Sequence, residues 1–212
     1  VTRTGRLPWP APDELTAEQS ALHRSLVGDR WSAGGSAVTV ADADGRLLGP
    51  FNAMLLAPAV GGAVSELGAA LRHRSSLTGR ERELVVLAVA VAERSGFEWH
   101  GHRRPALAEG LTADEVAVLF TGAAPETLSA RERCLHRTAL MLLDRRDLPD
   151  PDHAAAVAEL GEVAVVELVW LVGYYAVIAL SLRVFRVPLP DGAPDPFHDR
   201  PATPADPIRR NE

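Results

Sequence analysis

Cysteine is nearly absent from this 212-residue chain, with Cys134 standing alone. A single thiol excludes an intramolecular disulfide and any cluster of cysteine metal ligands. In an amphipathic segment it reads as a small core side chain. Basic runs are missing as well: 22 Lys and Arg face 28 Asp and Glu, for a formal net charge of −6. The longest are the pairs Arg103-Arg104, Arg145-Arg146 and Arg209-Arg210, so nucleic acid is not an expected partner. Val1 to Pro12 holds no apolar run and does not read as a secretory signal. The one membrane-like stretch, Val163 to Leu182, is interrupted by Glu167. Its uncharged part is shorter than the ~20 residues of a spanning helix, so it reads as a buried helix. These absences lead us to expect a cytoplasmic protein with no membrane partner. There is no Gly-rich phosphate loop after a strand pattern and no Gly-x-Ser-x-Gly elbow.

What is present suits one globular domain, with 47% hydrophobic and 24% charged residues. Four segments open alike: Leu15-Thr16 before Gln19, Leu77-Thr78 before Glu81, Leu111-Thr112 before Glu115, and Leu128-Ser129 before Glu132. Each is a capping box, in which the hydroxyl and the Glu or Gln side chain satisfy each other's orphan amides. A fifth start is Asp150-Pro151, read with Asp as cap and Pro at the first helical position. The chain therefore reads as all-α. Helices are expected over 16–26, 58–74, 80–94, 98–109, 113–120, 130–144, 151–160 and 163–185. Two of them, 80–94 and 163–185, lack a polar face and belong inside the fold or in an oligomer interface. From this we expect a homo-oligomer.

Residues 36–49 read as a loop around Asp44-Gly45, with Val38 and Val40 the only hint of a hairpin. The organisation expected is an N-terminal helix and irregular extension over 1–48, a helical domain over 49–187, and a Pro-rich tail or arm over 188–212. Arg80-Glu81-Arg82-Glu83 after Leu77-Thr78 resembles Arg131-Glu132-Arg133-Cys134 after Leu128-Ser129. This is either a duplicated helical hairpin or two similar caps.

The most polar knot in the apolar middle is Ser95-Gly96-Phe97-Glu98-Trp99-His100-Gly101-His102. Glu98 and His102 are four apart and share a helix face. A carboxylate beside an imidazole supplies both members of a proton-transfer pair. The same segment also reads as a Ser95–Glu98 capping box with His102 at the surface. Glu83 sits on an apolar helix, where a partly buried acid has a raised pKa unless paired, here with Arg80 as the candidate partner. It also reads as a first-turn surface acid. His100 and His102 fall on different helix faces and no His-x3-His pair occurs, so no metal site is expected. Tyr174 and Tyr175 lie mid-helix beside Gly173, in the core or at a pocket.

These residues resemble the carboxymuconolactone decarboxylase family. The resemblance is carried by Arg80 to Ala90, Phe97-Glu98-Trp99-x-x-His102 and Glu109-Gly110-Leu111-Thr112, with Gly49-Pro50-Phe51-Asn52 upstream and Val166-Glu167-Leu168 and Gly173-Tyr174-Tyr175 downstream. It implies an alkyl hydroperoxidase D-like helical bundle that assembles through helical interfaces. The redox branch of that fold uses a Cys-x-x-Cys pair with a Glu upstream and a His downstream. Here Ser95 and Glu98 occupy the cysteine positions, while Glu83 and His102 match the Glu and His. Both thiols are missing, so disulfide-based peroxide reduction is disfavoured. The resemblance points instead to a cofactor-independent lyase or isomerase acting on a small oxygenated acid. In it Glu98 and His102 would transfer protons and Glu83 would relay or tune. Asn52, His100 and Tyr174 would contact the substrate. The rival readings are a peroxide-linked oxidoreductase and a non-catalytic binding or scaffold protein.

Overall fold

The computed structural model describes residues 5–28, 40–189 and 193–198. They form helices α1 (Ala17–Val27), α2 (Pro50–Leu56), α3 (Pro58–His73), α4 (Gly79–Ala92), α5 (Gly96–Ala108), α6 (Ala113–Phe120), α7 (Ala130–Arg145), α8 (Asp150–Leu160) and α9 (Glu162–Val184), after a 3-10 turn at Pro12–Glu14. The fold is all-α, as the caps imply. All four capping boxes close in both directions, at Thr16, Thr78, Thr112 and Ser129.

Two local readings need correction. Asp150 is not a cap: Pro149 holds that position, its carbonyl accepting from His153, and Asp150 is the first helical residue. Its charge meets the helix dipole there without a side-chain bond. Helix α2 was not anticipated. It has only seven residues and stops at Ala57 (φ −127°, ψ 69°), because Pro58 disfavours helical geometry in the residue before it. The loop before it holds one isolated antiparallel bridge, Ala41 to Leu47, closed by Asp42, whose carboxylate accepts from the amides of Asp44 and Arg46. Val38 lies outside the described residues.

Helix α4 is the axis of the fold. It packs against α5, α6, α7 and α9, and Leu84 to Ala90 are each no more than 3% exposed. Its missing polar face is thus explained within one chain. Helix α9 is different: it packs on α2, α3, α4, α5, α7 and α8, but through one side only. Val163, Val166, Trp170, Val177, Leu180 and Val184 are each at least 45% exposed. At 23 residues it is long and apolar enough to cross a membrane by length and composition, which a count of its uncharged part alone understated. Half of it is buried in the fold.

The starts of α4 and α7 are cross-linked. Arg80 Nε donates to Glu132 and Arg131 Nε donates to Glu81, both at 2.6 Å. Each acceptor is the carboxylate of the other helix's capping box. Matched residues of the two similar segments therefore exchange partners, an arrangement a duplicated hairpin produces naturally. Arg80 also grips Glu115 of the α6 cap, at 2.8 and 3.1 Å. It is committed to Glu115 and Glu132 and does not neutralise Glu83.

Part of the Pro-rich tail is an arm on its own chain. Phe197 is 2% exposed and packs in a second core cluster with Trp99 and Leu119. Its ring lies 5.3 Å from Phe120, which lies 4.9 Å from Trp99. Arg94 Nη2 donates to the Phe197 carbonyl at 2.7 Å. The rest of the tail, 190–192 and 199–212, lies outside the described residues.

Glu115 is held at about pH 2, first by its hydrogen bond to Arg80. A depressed carboxyl stabilises the fold above its ordinary value and loses that contribution as pH falls through the folded value. Arg80→Met should therefore raise the midpoint of acid unfolding, followed by circular dichroism. It should also cost about 2 kcal/mol or more in urea at neutral pH, because three charged hydrogen bonds are lost.

Candidate functional site

Glu83, one turn into α4, is 4% exposed, and the first two turns of α5 bring Glu98 and His102 beside it, at 5% and 7% exposed. His102 Nδ1 lies 2.8 Å from Glu83 Oε2 and donates to it. The other ring nitrogen, Nε2, faces Glu98 Oε2 at 3.5 Å. The imidazole thus bridges two acids, fixed on one side and close on the other. The edge of its ring meets Tyr175, with centroids 5.1 Å apart at 90°.

The Ser95 cap explains why Glu98 is available. Ser95 Oγ accepts from the Glu98 amide at 3.4 Å, but the return bond of a capping box is absent. Only half of the expected box forms, and the Glu98 carboxyl points to His102. Neither surface reading survives, since His102 and Glu83 are both buried.

The two acids are driven in opposite directions. Burial is the largest influence on Glu98 and raises its pKa, only partly opposed by His102 and Arg72. Burial also pushes Glu83 up, but the charge and hydrogen bond of His102, with Arg82 and Arg72, bring it below its ordinary value. For His102, burial works against the imidazolium, and the charge and hydrogen bond of Glu83 overcome it and raise the pKa. The cluster thus joins a Glu83 carboxyl that ionises more readily than a free one, a His102 ring that holds its second proton to higher pH than a free imidazole, and a Glu98 carboxyl that keeps its proton longer than a free one.

Above this cluster opens a recess lined by Phe51, Met54, Arg72, Phe97, Tyr174 and Tyr175, with Glu98 and His102 in its wall. Its cavity volume is about 30 Å³, within about 410 Å³ of space between atoms that runs out into solvent. Burial raises both tyrosine pKa values, so their hydroxyls stay neutral. Gly68 on α3 makes room for Tyr174: a Cβ there would stand 2.3 Å from the phenolic oxygen.

Of the residues expected from the sequence, the structure brings together Glu83, Glu98, His102 and Tyr174. Two lie elsewhere. His100 is exposed, because two residues on a helix turn a side chain away from the face of Glu98 and His102. Asn52 donates to the Pro8 carbonyl at 3.0 Å and lines a neighbouring cavity on the far side of Phe97. Arg72, Phe51 and Met54 were not anticipated at the site; Tyr175, read as lying in the core or at a pocket, lines the recess. Arg72 comes from a helix with no local sign of a site. Among the described residues no cluster of His, Cys, Asp and Glu is arranged to hold a metal ion.

This fold is the alkyl hydroperoxidase D architecture. The chain is similar to the alkylhydroperoxidase AhpD core of an uncharacterized peroxidase-related protein from Ralstonia eutropha JMP134, at 19% identity over 88% of this chain and 92% of that one, with TM-score 0.66. It is similar to a protein of unknown function from Agrobacterium tumefaciens named for AhpD antioxidant defence, at 17% identity over 66% and 96% of the two chains, TM-score 0.60. It is also similar to the apo debrominase Bmp8, at 11% identity over 83% and 88%, TM-score 0.62. At such identities the likeness is one of fold. Residues 58–139 match the carboxymuconolactone decarboxylase family, so the resemblance read from the sequence holds over the segment that carries Arg72, Glu83, Glu98 and His102. No curated protein matches the sequence.

The His102 ring should titrate above its ordinary 6.5, and Glu83→Gln should bring it down, both read from its imidazole proton shifts by NMR. The Glu83 part of this stabilisation is present above the ordinary carboxyl value and lost as pH falls through the lowered one. The His102 part is present below pH 6.5 and lost as pH rises through the raised one. A His102 value unchanged by Glu83→Gln would break the pairing.

Proposed function

We propose that this protein is a cofactor-independent lyase or isomerase that moves protons to and from carbon in a small oxygenated acid. The observation that carries the reading is the imidazole held between two buried acids of opposite pKa displacement, at the edge of a largely apolar recess. Groups pushed apart in this way take separate acid and base roles. Glu83, the permanent anion, orients the ring. Glu98 is the proton donor, and His102 restores its proton.

In a decarboxylation the C–C bond to the carboxylate breaks and CO₂ leaves. Its electron pair moves into the conjugated system, and the Glu98 proton forms the new C–H bond. A solvent proton passed through His102 recharges Glu98. In a double-bond shift the ionised Glu98 first removes a proton and then returns it to another carbon. Either path fits general acid–base catalysis worth roughly 10²–10⁴-fold.

An open recess with polar groups in its wall favours an enzyme over a scaffold, and a fold neighbour that is a debrominase is in keeping with that. A disulfide route is disfavoured because Ser95 and Glu98 stand at the thiol positions. The lone Cys134 lies on α7, outside the residues lining the recess. We also infer assembly of like chains through α9. Val163, Val166, Trp170, Gly173, Val177, Leu180 and Val184 recur with alternating steps of three and four, the seam of a helix that pairs with its own copy.

Turnover in D₂O should leave one solvent-derived deuterium on product carbon after a decarboxylation, and after a double-bond shift only so far as the Glu98 proton exchanges with solvent before its return, both read by mass spectrometry. Glu98→Gln and His102→Ala should each slow turnover by roughly 10²–10⁴-fold, and the double variant should be scarcely worse than either. Cys134→Ser should keep activity and change stability by about 1 kcal/mol. A strict need for a thiol reductant would defeat the acid–base reading.

Light scattering should show an oligomer that Val177→Asp dissociates without loss of helicity. A wild-type monomer at micromolar concentration would refute the α9 interface.

A further inference from the structure

We propose that Phe97 is a movable partition inside a larger site, and that the substrate is an acid whose far end carries a hydroxyl or amide N–H. That end passes the partition and donates to Oδ1 of Asn52. The inference rests on the acid–base reading, since it takes the recess as the place of reaction, and deepens it by naming the chemistry of the substrate's other end.

Phe97 is the one residue that the lining of the recess shares with the lining of the chamber around Asn52. It stands in the first turn of α5, next to the proton donor Glu98, and is only half-buried. The tip of its ring rests on Gly49, where a Cβ would overlap Cζ and Cε1. The partition is thus an aromatic ring seated on bare backbone, and a rotation about its side-chain bonds joins the two spaces without moving a helix.

Each space is small alone, with a cavity volume of about 30 Å³. A small-molecule site usually offers roughly 300–1,000 Å³. The missing room lies beyond the chamber. A groove of about 620 Å³ shares Phe97, Val187, Pro188 and Leu189 with it and opens to solvent. Turning Phe97 aside connects Glu98 and His102 to this larger space.

The chemistry of the chamber decides what fits. Its wall is mostly apolar, with Trp9, Leu47, Phe185 and Val187 among the lining. The two side-chain donors in that wall are spent: Trp9 Nε1 donates to the Leu47 carbonyl at 2.7 Å, and Asn52 Nδ2 donates to the Pro8 carbonyl at 3.0 Å. The second bond fixes the amide, and its Oδ1 is left buried with no hydrogen-bond partner among the described residues. A lone buried acceptor is satisfied by a donor and disfavours a carboxylate. The end of the substrate that reaches it is therefore a hydroxyl or amide on an apolar chain, while the reacting end stays beside Glu98 and His102.

The test uses the straight-chain acids from pentanoate to octanoate, each paired with its ω-hydroxy acid. Binding to the full chain is followed by calorimetry, with the Trp9 indole proton reporting on the chamber and the His102 ring protons on the recess by NMR. At one chain length or more the hydroxy acid should bind about threefold to tenfold more tightly than its parent, the worth of one neutral hydrogen bond. Both reporters should shift over the same range of ligand concentration. Asn52→Leu should bring the ratio to about one. Asn52→Asp gives up the bond to Pro8 but keeps an acceptor, so it should retain the preference and separates Oδ1 from a loosened N-terminal segment. Phe97→Ala should tighten octanoate more than pentanoate. A ratio of one at every length, a preference that survives Asn52→Leu or is lost in Asn52→Asp, or a Trp9 proton that never moves would overturn the chamber. Turnover of Glu98→Gln judges the acid–base reading separately. Its loss without any hydroxyl preference sinks the chamber alone, and full activity beside an intact preference sinks the acid–base reading alone.

Discussion

A carboxylate on a helix with no outside governs this structure. Helix α4 is surrounded by four neighbours, so Glu83 cannot reach water by changing its rotamer. An unpaired charge there would cost several kcal/mol. The neighbouring helix must bring a proton-bearing partner to it, and His102 is that partner. Once the imidazole is turned to Glu83 through Nδ1, its second nitrogen is fixed in direction, and the acid one turn earlier on α5 is the group it faces. The site thus follows from the burial of one helix. Its electrostatics follow too, because the same desolvation that is overcome at Glu83 prevails at Glu98.

The hairpins that hold this arrangement are fastened at their starts. Each capping box spends one carboxylate oxygen on its own helix and offers the other to an arginine of the opposite helix. A cap, ordinarily a local device, here joins elements fifty residues apart in sequence. The bonds lie partly in solvent, so each is of modest strength alone. Their reciprocity fixes the relative height of α4 and α7, and with it the depth at which Glu83 sits.

Much of the fold was legible because the caps are local: Thr16, Thr78, Thr112 and Ser129 each announce a helix within four residues. Helix α2 was not, since two turns closed by a proline leave too little periodicity to read. In the site, Glu98 and His102 were legible through one-turn spacing. Glu83 became a candidate from its apolar setting and through the resemblance, but its true partner, nineteen residues on, follows from packing alone. The Ser95 motif promised a closed box, yet tertiary contact with His102 outcompeted the return bond. His100 was drawn in by nearness in sequence and helix geometry turns it away; Asn52 was drawn in through the resemblance and is held on the Pro8 carbonyl beside a neighbouring cavity. Arg72 arrives from α3 by topology, which no local pattern records.

The arm that ends in Phe197 has a consequence for how the molecule is made. Trp99 lies beside Glu98, yet the cluster that covers it is completed only by a residue close to the end of the described chain. Tyr174 and Tyr175 also follow α4 and α5 in the chain. A nascent chain that has released α4 and α5 from the ribosome therefore holds its two acids and its imidazole in an unfinished, wetter setting. There the carboxyl of Glu98 is closer to an ordinary one, and proton chemistry has little to work with. The site therefore matures only once the arm and α9 are in place, which keeps a half-made protein chemically quiet.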